Sequence, residues 1–383
     1  MNALESILGR EGVSAFFSQP RIKHGLPARA YTSEDFFRLE QERVFARHWT
    51  FIGYAHELAE PGDAMPAVAA GLPVLMLKGA DSRIRVFHNV CRHRGLKLVD
   101  QPCRFEAAIV CPYHAWTYGL DGRLIRAPHF GGYQQHLPEH FDPEEHGLVE
   151  IRSRVWHDWI FINPDESAPE FDDYVAPLLE FAGGYDLDRI KPMFKVDSGE
   201  FRCNWKFICE NFVEPYHVPV AHSVTAAGQP LRDHSLVGNG RVVGCAVDVG
   251  GNGQSSSREA APDACLDMSA RYLVLFPNFL FFTYDAEVTQ INVMLNTPLA
   301  PDRTHQRRVI YYLEGQEPSV SEIERWRRLT LQVIAEDRTL VERMQEGRRS
   351  PVTAGGGVLS PVWEESEHDF QRLIMEAVSR RGG

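Results

Sequence analysis

Two short runs, CRHRG and CPYHAW, constrain this chain more than anything else in it. The first sets Cys91 and His93 two positions apart and the second sets Cys111 and His114 three apart, with seventeen residues between the pairs. Each pair fits one tight loop flanked by Gly, Pro or aromatic residues, so two hairpin-like tips can pinch a metal centre between them. The mixed donor set narrows the metal. A Cys2His2 zinc site normally pairs Cys with Cys and His with His, whereas each pair here is one thiolate and one imidazole. Thiolates suit an iron that stays ferric, and two imidazoles on a second iron raise the reduction potential above that of an all-thiolate cluster. A [2Fe–2S] centre held by two cysteines and two histidines is the expectation. Zinc, or buried cysteines beside unrelated histidines, are the weaker alternatives. Cys103, Cys203, Cys209, Cys245 and Cys265 show no ligand spacing and receive no role.

A second constellation lies in residues 204–222, NWKFICENFVEPYHVPVAH, where His217 and His222 are five apart and Glu214 precedes the first by three. On an ideal helix that offset turns the two imidazoles about 140° apart. Pro215 and Pro219 break the helix there, so the rings can converge from a distorted segment. Two histidines and one carboxylate form the facial set that leaves open positions on ferrous iron. The best carboxylate is Asp337, in LTLQVIAEDRTLVERMQEG. It shares a helical face with Val333, Ile334, Leu340, Val341 and Met344, and a carboxylate in an apolar stripe needs a partner or a metal. Glu336, at the flank of the stripe, is the weaker candidate, and pairing of Asp337 with a nearby arginine is the competing reading.

Around these sites the patterning changes twice. Residues 33–48 read as an amphipathic helix with Ser33 as N-cap. From Trp49 to Pro164, short runs such as PVLMLKG, IRVFHNV and WIFINPD alternate with turn signals and read as a small all-β unit. Residues 165–185 read as a linker and a short helix, and the chain from Lys195 to Asn211 as extended, then helical. The Gly/Ser-rich run 238–257 reads as a mobile loop between strands. RYLVLFPNFLFF, QINVMLNTPLA and QRRVIYYLEG read as strands, followed by helices over 319–347 and 364–380. The fold class is therefore α+β, with an all-β unit inserted in, or preceding, a domain whose antiparallel sheet is flanked by helices.

A net charge of −12 and a pI near 5.7 speak against nucleic acid or an anionic membrane as partner. No run of 18 apolar residues suggests a membrane span, the start of the chain lacks secretory features, and seven cysteines suggest no disulfide framework. A cytoplasmic location is the expectation. No GxGxxG fingerprint follows a strand, so any nicotinamide chemistry belongs to a separate protein.

Taken together, CRHRG with CPYHAWTYGLDGRL, and NWKxxxENxxExYHxxxxH from Asn204 to His222, resemble the two metal-binding motifs of Rieske non-haem iron aromatic-ring-hydroxylating oxygenase alpha subunits. The resemblance covers nearly the whole chain. It implies a helical segment (1–48) packing on the catalytic domain, a Rieske [2Fe–2S] domain (49–164) and a catalytic domain with mononuclear iron (165–383). It implies that Cys91, His93, Cys111 and His114 hold the cluster. It also implies that His217, His222 and Asp337 hold Fe(II), the last on a weaker match in which a glutamate, Glu342, follows five residues later. Electrons are expected from NAD(P)H through a flavin-containing reductase, with or without a ferredoxin. A homotrimer is expected in which Glu214 links a neighbour's His114 to its own His217.

A glutamate at that bridge, in the shorter segment ENFVEPYH, looks like the branch that oxidises carnitine, choline or betaines. Tyr272, Phe276, Phe279, Phe281, Phe282 and Tyr284 supply rings for a cation–π cage around such a substrate, unless they are plain core. Oxygenation of an aromatic ring or aromatic acid is the alternative. An electron carrier, or a ligand-binding protein without catalysis, are alternatives of another class.

Overall fold

Short apolar runs punctuated by Gly and Pro become, in the computed structural model, a set of small antiparallel sheets that carry the first Cys–His constellation. The structure describes residues 3–18, 21–135, 137–138, 140–182, 184–248, 269–285 and 288–380. The chain divides into two units: Phe45–Ala168, and a discontinuous one made of Met1–Val44 with Pro169–Gly383.

The first unit holds β1 (Thr50–Tyr54), β2 (Asp63–Ala69), β3 (Leu72–Lys78), β4 (Ile84–His88), β5 (Cys103–Arg104), β6 (Ala108–Val110), β7 (Thr117–Gly119), β8 (Leu124–Arg126), β9 (Ser153–Trp156) and β10 (Trp159–Ile162). They form three antiparallel sheets in the orders β1-β10-β9, β4-β3-β2-β5 and β6-β7-β8. Phe87, Trp116 and Tyr118 pack with Cys91 and Cys111 in one buried cluster, so both thiols are rooted in the core rather than on loop tips.

The discontinuous unit contains α1 (Ala3–Leu8), α2 (Arg10–Phe17), α3 (Arg29–Thr32), α4 (Glu34–Glu40), α5 (Phe171–Ala182), α6 (Trp205–Val213), α7 (Val218–Ala221), α8 (Ser223–Gly228), α9 (Val320–Gly347) and α10 (Glu365–Ser379). Among the described residues its sheet has seven antiparallel strands, β11 (Ile190–Phe201), β12 (His234–Asn239), β13 (Val242–Val247), β14 (Ser269–Leu275), β15 (Phe279–Asp285), β16 (Gln290–Ala300) and β17 (Arg303–Leu313). Their order is β11-β17-β16-β15-β14-β13-β12. The register sets Cys245, Tyr272, Phe282 and Asn292 opposite one another across four strands. Because side chains alternate, Phe282 and Tyr284 share one face while Phe279 and Phe281 turn to the other.

The first 44 residues belong to this unit through polar ties far apart in sequence. Lys206 Nζ donates to Glu40 Oε1 at 2.6 Å, with neither side chain exposed. Tyr31 Oη donates to Glu210 Oε1 (2.7 Å), and the amide of Leu26 donates to Gln371 Oε1 (3.1 Å). Among the described residues no helix is long and apolar enough to cross a membrane.

Three expectations change. Ser33 does cap a helix, accepting from the amide of Phe36, but the α-helix ends at Glu40 and gives way to a π-helix over Gln41–Phe45. The wider turn shifts the phase so that the consecutive residues Val44 and Phe45 are both buried. The run expected as a loop from 238 begins instead inside β12 and continues as β13. Gly244 is required there because a Cβ would fall 1.9 Å from the carbonyl oxygen of Tyr272 on the next strand, so this glycine marks close strand approach rather than a loop. The rest of that run, 249–257, and Cys265 lie outside the described residues. Finally, Met344 is 38 % exposed although it belongs to the expected apolar stripe, and Gln345 takes the buried position.

Candidate cluster site and candidate iron site

The two Cys–His loops have the same backbone design. The Cys91 amide donates to the carbonyl of Leu96 and the Gly95 amide to the carbonyl of Cys91; the Cys111 amide donates to Trp116 and the Ala115 amide to Cys111. Gly95 (φ 71°) and Ala115 (φ 54°) both take the left-handed conformation that closes such a loop. The loops face each other: the rings of His93 and His114 lie 4.6 Å apart at 72°, and His93 stacks on Trp116 at 4.9 Å. Arg94 Nη1 donates to the Tyr113 hydroxyl (3.2 Å), tying loop to loop. The cysteines are buried while His93 is half-buried and His114 exposed.

Burial pushes the Cys111 thiol up. The backbone amides of Tyr113 and His114 act the other way by hydrogen-bonding its sulfur, and nearby Cys91 adds to the rise. The Tyr118 hydroxyl lies 3.2 Å from Cys91 Sγ and accepts from the Arg92 amide (2.9 Å). Two buried sulfurs with amide and hydroxyl donors, facing two outward imidazoles, fit an iron–sulfur cluster ligated unequally on its two irons.

In the second unit α6 stops at Val213, Pro215 prevents its continuation, and Pro219 sits in the first turn of α7. His217 and His222 flank that single turn, with rings 5.1 Å apart at 81°. Asp337 reaches them from α9: its Oδ1 is 2.9 Å from His222 Nε2 and 3.8 Å from His217 Nε2. One donor atom from each of the three lies within 4.8 Å of the others, so the trio can hold a metal ion.

The opposite ring nitrogens are occupied as such a site requires. Glu214 Oε1 meets His217 Nδ1 at 2.5 Å and its Oε2 accepts from the amides of Tyr216 and His217. Glu336 Oε2 meets His222 Nδ1 at 2.7 Å, and Asn211 donates to Asp337 Oδ1 at 2.9 Å. With both Nδ1 atoms facing carboxylates, both Nε2 atoms are turned to one place, the arrangement expected of metal-ligating histidines. Burial disfavours charge on His222, but Asp337 and Glu336 outweigh it and raise its pKa. Burial likewise opposes ionisation of Asp337, and His222 and His217 outweigh that and lower it.

A cavity of about 100 Å³ opens beside these residues, room for several waters or one small molecule. Phe212, Tyr272, Phe282 and Tyr284 wall it. Tyr272 and Phe282 stack at 5.5 Å, and Phe212 stands edge-on to both at 5.7 Å. Tyr272 Oη donates to Gln229 Oε1 (2.9 Å) and lies 3.1 Å from the hydroxyl of Tyr284. Of the six aromatic residues proposed for a cage, three therefore meet in the cavity. Phe276, Phe279 and Phe281 are buried elsewhere, as core.

Residues 153–380 match the family model described as ring hydroxylating alpha subunit (catalytic domain), and residues 48–138 match that of the Rieske [2Fe-2S] domain. The chain belongs to the ring-hydroxylating alpha subunit family. A chain of this family with a Rieske domain carries a [2Fe–2S] cluster and a mononuclear iron. The glycine betaine monooxygenase oxygenase subunit of Chromohalobacter salexigens is 34 % identical over 213 residues, which is 56 % of this chain and 46 % of that one. The chain thus matches about half the length of that relative. The chloroplastic choline monooxygenase of Amaranthus tricolor is 29 % identical over 362 residues, 92 % of this chain and 77 % of that one. A crystal structure of a quaternary ammonium Rieske monooxygenase in complex with substrate γ-butyrobetaine superposes with a TM-score of 0.76 at 25 % identity, covering 95 % of this chain and 98 % of that one.

Within this alpha-subunit frame, Asn211, Gln229, Glu336 and Arg308 are the site residues that pattern reading did not assign. Asn211 stood inside the quoted motif without a role. Glu336 was weighed as a ligand and instead backs one. Arg308 shares the cavity face of β17 with Gln306, two residues away on the same strand.

Proposed function

We propose that this alpha subunit is the oxygenase component of a multi-component monooxygenase that hydroxylates a small quaternary ammonium compound at or beside an N-methyl group. The observation that carries this reading is the meeting of an aromatic wall and a His/His/Asp trio in one small cavity. Cys91, His93, Cys111 and His114 hold the cluster, and His217, His222 and Asp337 hold Fe(II). When bound, these groups supply one-electron delivery and reductive activation of O2.

The chain's own residues do the rest. Phe212, Tyr272 and Phe282 exclude water and offer ring faces to a positively charged headgroup, a contact that gains strength when desolvated. Glu214 and Glu336 keep the His217 and His222 protons on Nδ1, so each Nε2 stays a donor atom. Electrons come from NAD(P)H through a separate flavin-containing reductase, with or without a ferredoxin. The assembly is a homotrimer in which Glu214 also reaches His114 of the adjoining chain. A reducing, cytoplasmic setting suits thiols that must serve as ligands.

Oxygen consumption with a compatible reductase, across γ-butyrobetaine, glycine betaine, choline and aromatic acids, tests the proposal. Tight coupling of O2 uptake to product is expected with the quaternary amines. Better coupling with a ring acid would move the chain to the aromatic branch. About three irons per chain and the visible spectrum of a histidine-ligated cluster are expected. About two irons would leave only an electron carrier.

A further inference from the structure

Among the described residues, three histidines and two carboxylates line the cavity. His217, His222, Asp337 and Glu214 belong to the iron site, which leaves His234 over. It stands at the start of β12, directly after a 3-10 turn over Leu231–Asp233. Leu236, two residues on, pairs with Cys245, in the row that continues through Tyr272 to Phe282. Side chains alternate along a strand, so His234 enters from the same sheet face as the aromatic wall. It is only 8 % exposed.

The turn before His234 fixes its tautomer. Nδ1 lies 3.1 Å from the carbonyl oxygen of Pro230. A carbonyl can only accept, so Nδ1 carries the hydrogen and Nε2 of the neutral ring keeps a lone pair. That lone pair meets no donor among the described residues. Burial pushes the pKa of His234 down. Pro230, Asp233 and Leu231 oppose the fall without cancelling it, and nearby His217 adds to it. Other groups of the wall are less able to take up a proton. Gln229 Oε1 and Gln306 Oε1 already accept from Tyr272 and Arg308, and burial pushes the Cys245 thiol up, so it keeps its own proton. A neutral imidazole held through one nitrogen and open at the other suits a general base.

We propose that His234 is the general base that breaks down the hydroxylated product inside the cavity. The inference rests on the ammonium reading above and extends it by a second chemical step. Hydroxylation of an N-methyl group, or of the carbon beside nitrogen, leaves a hydroxyl and a quaternary nitrogen on one carbon. Nε2 takes the hydroxyl proton, the O–H electron pair becomes the second bond of C=O, and the C–N bond breaks with its pair going to nitrogen. A carbonyl compound and a tertiary amine result, and the imidazolium gives its proton to water. The step is redox-neutral and needs no further reactant.

Acid-quenched single turnovers of the metal-loaded protein with glycine betaine test it, because acid keeps the hydroxyl protonated and preserves the hydroxymethyl ammonium adduct for mass spectrometry. Wild type is expected to accumulate no adduct, and its carbonyl release should ignore the concentration of external buffer. His234→Asn keeps a donor for Pro230 and removes the base, whereas His234→Phe removes both. In both variants, whatever their rate of oxygen uptake, the share of consumed substrate caught as adduct should rise at least about tenfold, with release now proportional to buffer. No rise in either variant overturns the assignment. A rise in the phenylalanine variant alone overturns it too, since that marks loss of the Pro230 contact rather than of a base. Should neither variant take up iron, wild type decides: buffer-dependent release overturns the proposal and buffer-independent release supports it. If wild type releases no carbonyl compound from glycine betaine or γ-butyrobetaine, the ammonium reading fails and this role of His234 falls with it.

Discussion

At the scale of single residues, the ligands are one layer of these sites and the groups behind them are another. Tyr118 shows the difference at the cluster. Its hydroxyl, 3.2 Å from Cys91 Sγ, would stabilise negative charge on that sulfur in the proposed cluster. Tyr118→Phe is expected to lower the reduction potential by roughly tens of millivolts with the cluster intact, and protein-film voltammetry reads it directly. At the iron site His222 is gripped at both nitrogens by consecutive residues, Asp337 at Nε2 and Glu336 at Nδ1. Glu336→Gln should weaken iron binding about tenfold to a hundredfold, as loss of an outer carboxylate generally does. A chelator competition titration measures this, and unaltered affinity would make the contact incidental. Glu214→Gln should leave both metals bound yet slow turnover about tenfold to a hundredfold, as steady-state oxygen uptake would report. Wild-type rates would remove Glu214 from the electron route.

The ligand candidates were legible because a metal needs particular atoms at short spacing, and Cys91, His93, Cys111, His114, His217 and His222 come from two local motifs. Glu336 was not legible as a support. Neighbours on a helix diverge by about 100°, so it looked like a poor ligand, and its true target lies 114 residues earlier.

At the scale of elements, periodicity carried far but not to the ends. In α9 the expected stripe is real at Ile334 and Val341. The next buried position is Gln345, because its side chain accepts from the Asn204 amide and donates to the Tyr31 carbonyl, which no hydrophobic pattern encodes. Similarly, alternation along β15 separates Phe282 and Tyr284 from Phe279 and Phe281, but only the pairing register brings Tyr272 beside them. The tie between α4 and α6 is equally hidden, since no local pattern pairs Glu40 with Lys206, 166 residues later. Both are fully buried, so burial pushes Glu40 up and Lys206 down while each partner opposes the shift on the other. Lys206→Met would strand the carboxylate and is expected to destabilise this unit by roughly 3–5 kcal/mol. Replacing both residues with apolar ones should recover most of that in equilibrium denaturation. A small loss in the single variant would mean that Glu40 is not held as a charge.

For the whole molecule, the proposed route of electrons makes a prediction about assemblies rather than chains. A chain with Cys91→Ser lacks a cluster ligand, and one with Asp337→Ala lacks an iron ligand. Each alone should be inactive as a homotrimer. If electrons cross from the cluster of one chain to the iron of the next, co-expressed mixtures of the two should regain a measurable part of wild-type turnover. Transfer within a chain predicts no recovery.

The split of the iron-binding unit into Met1–Val44 and Pro169–Gly383 also has a consequence for biosynthesis. On the ribosome the cluster unit, continuous from Phe45 to Ala168, can finish folding while the opening helices have nothing to close upon. Leu26 must wait for Gln371, 345 residues later, and Tyr31 for Glu210 and Gln345. The nascent chain therefore emerges with its electron-carrying part ready first. The catalytic half is sealed only once α10 has been made and brings Gln371 to the segment that holds Leu26.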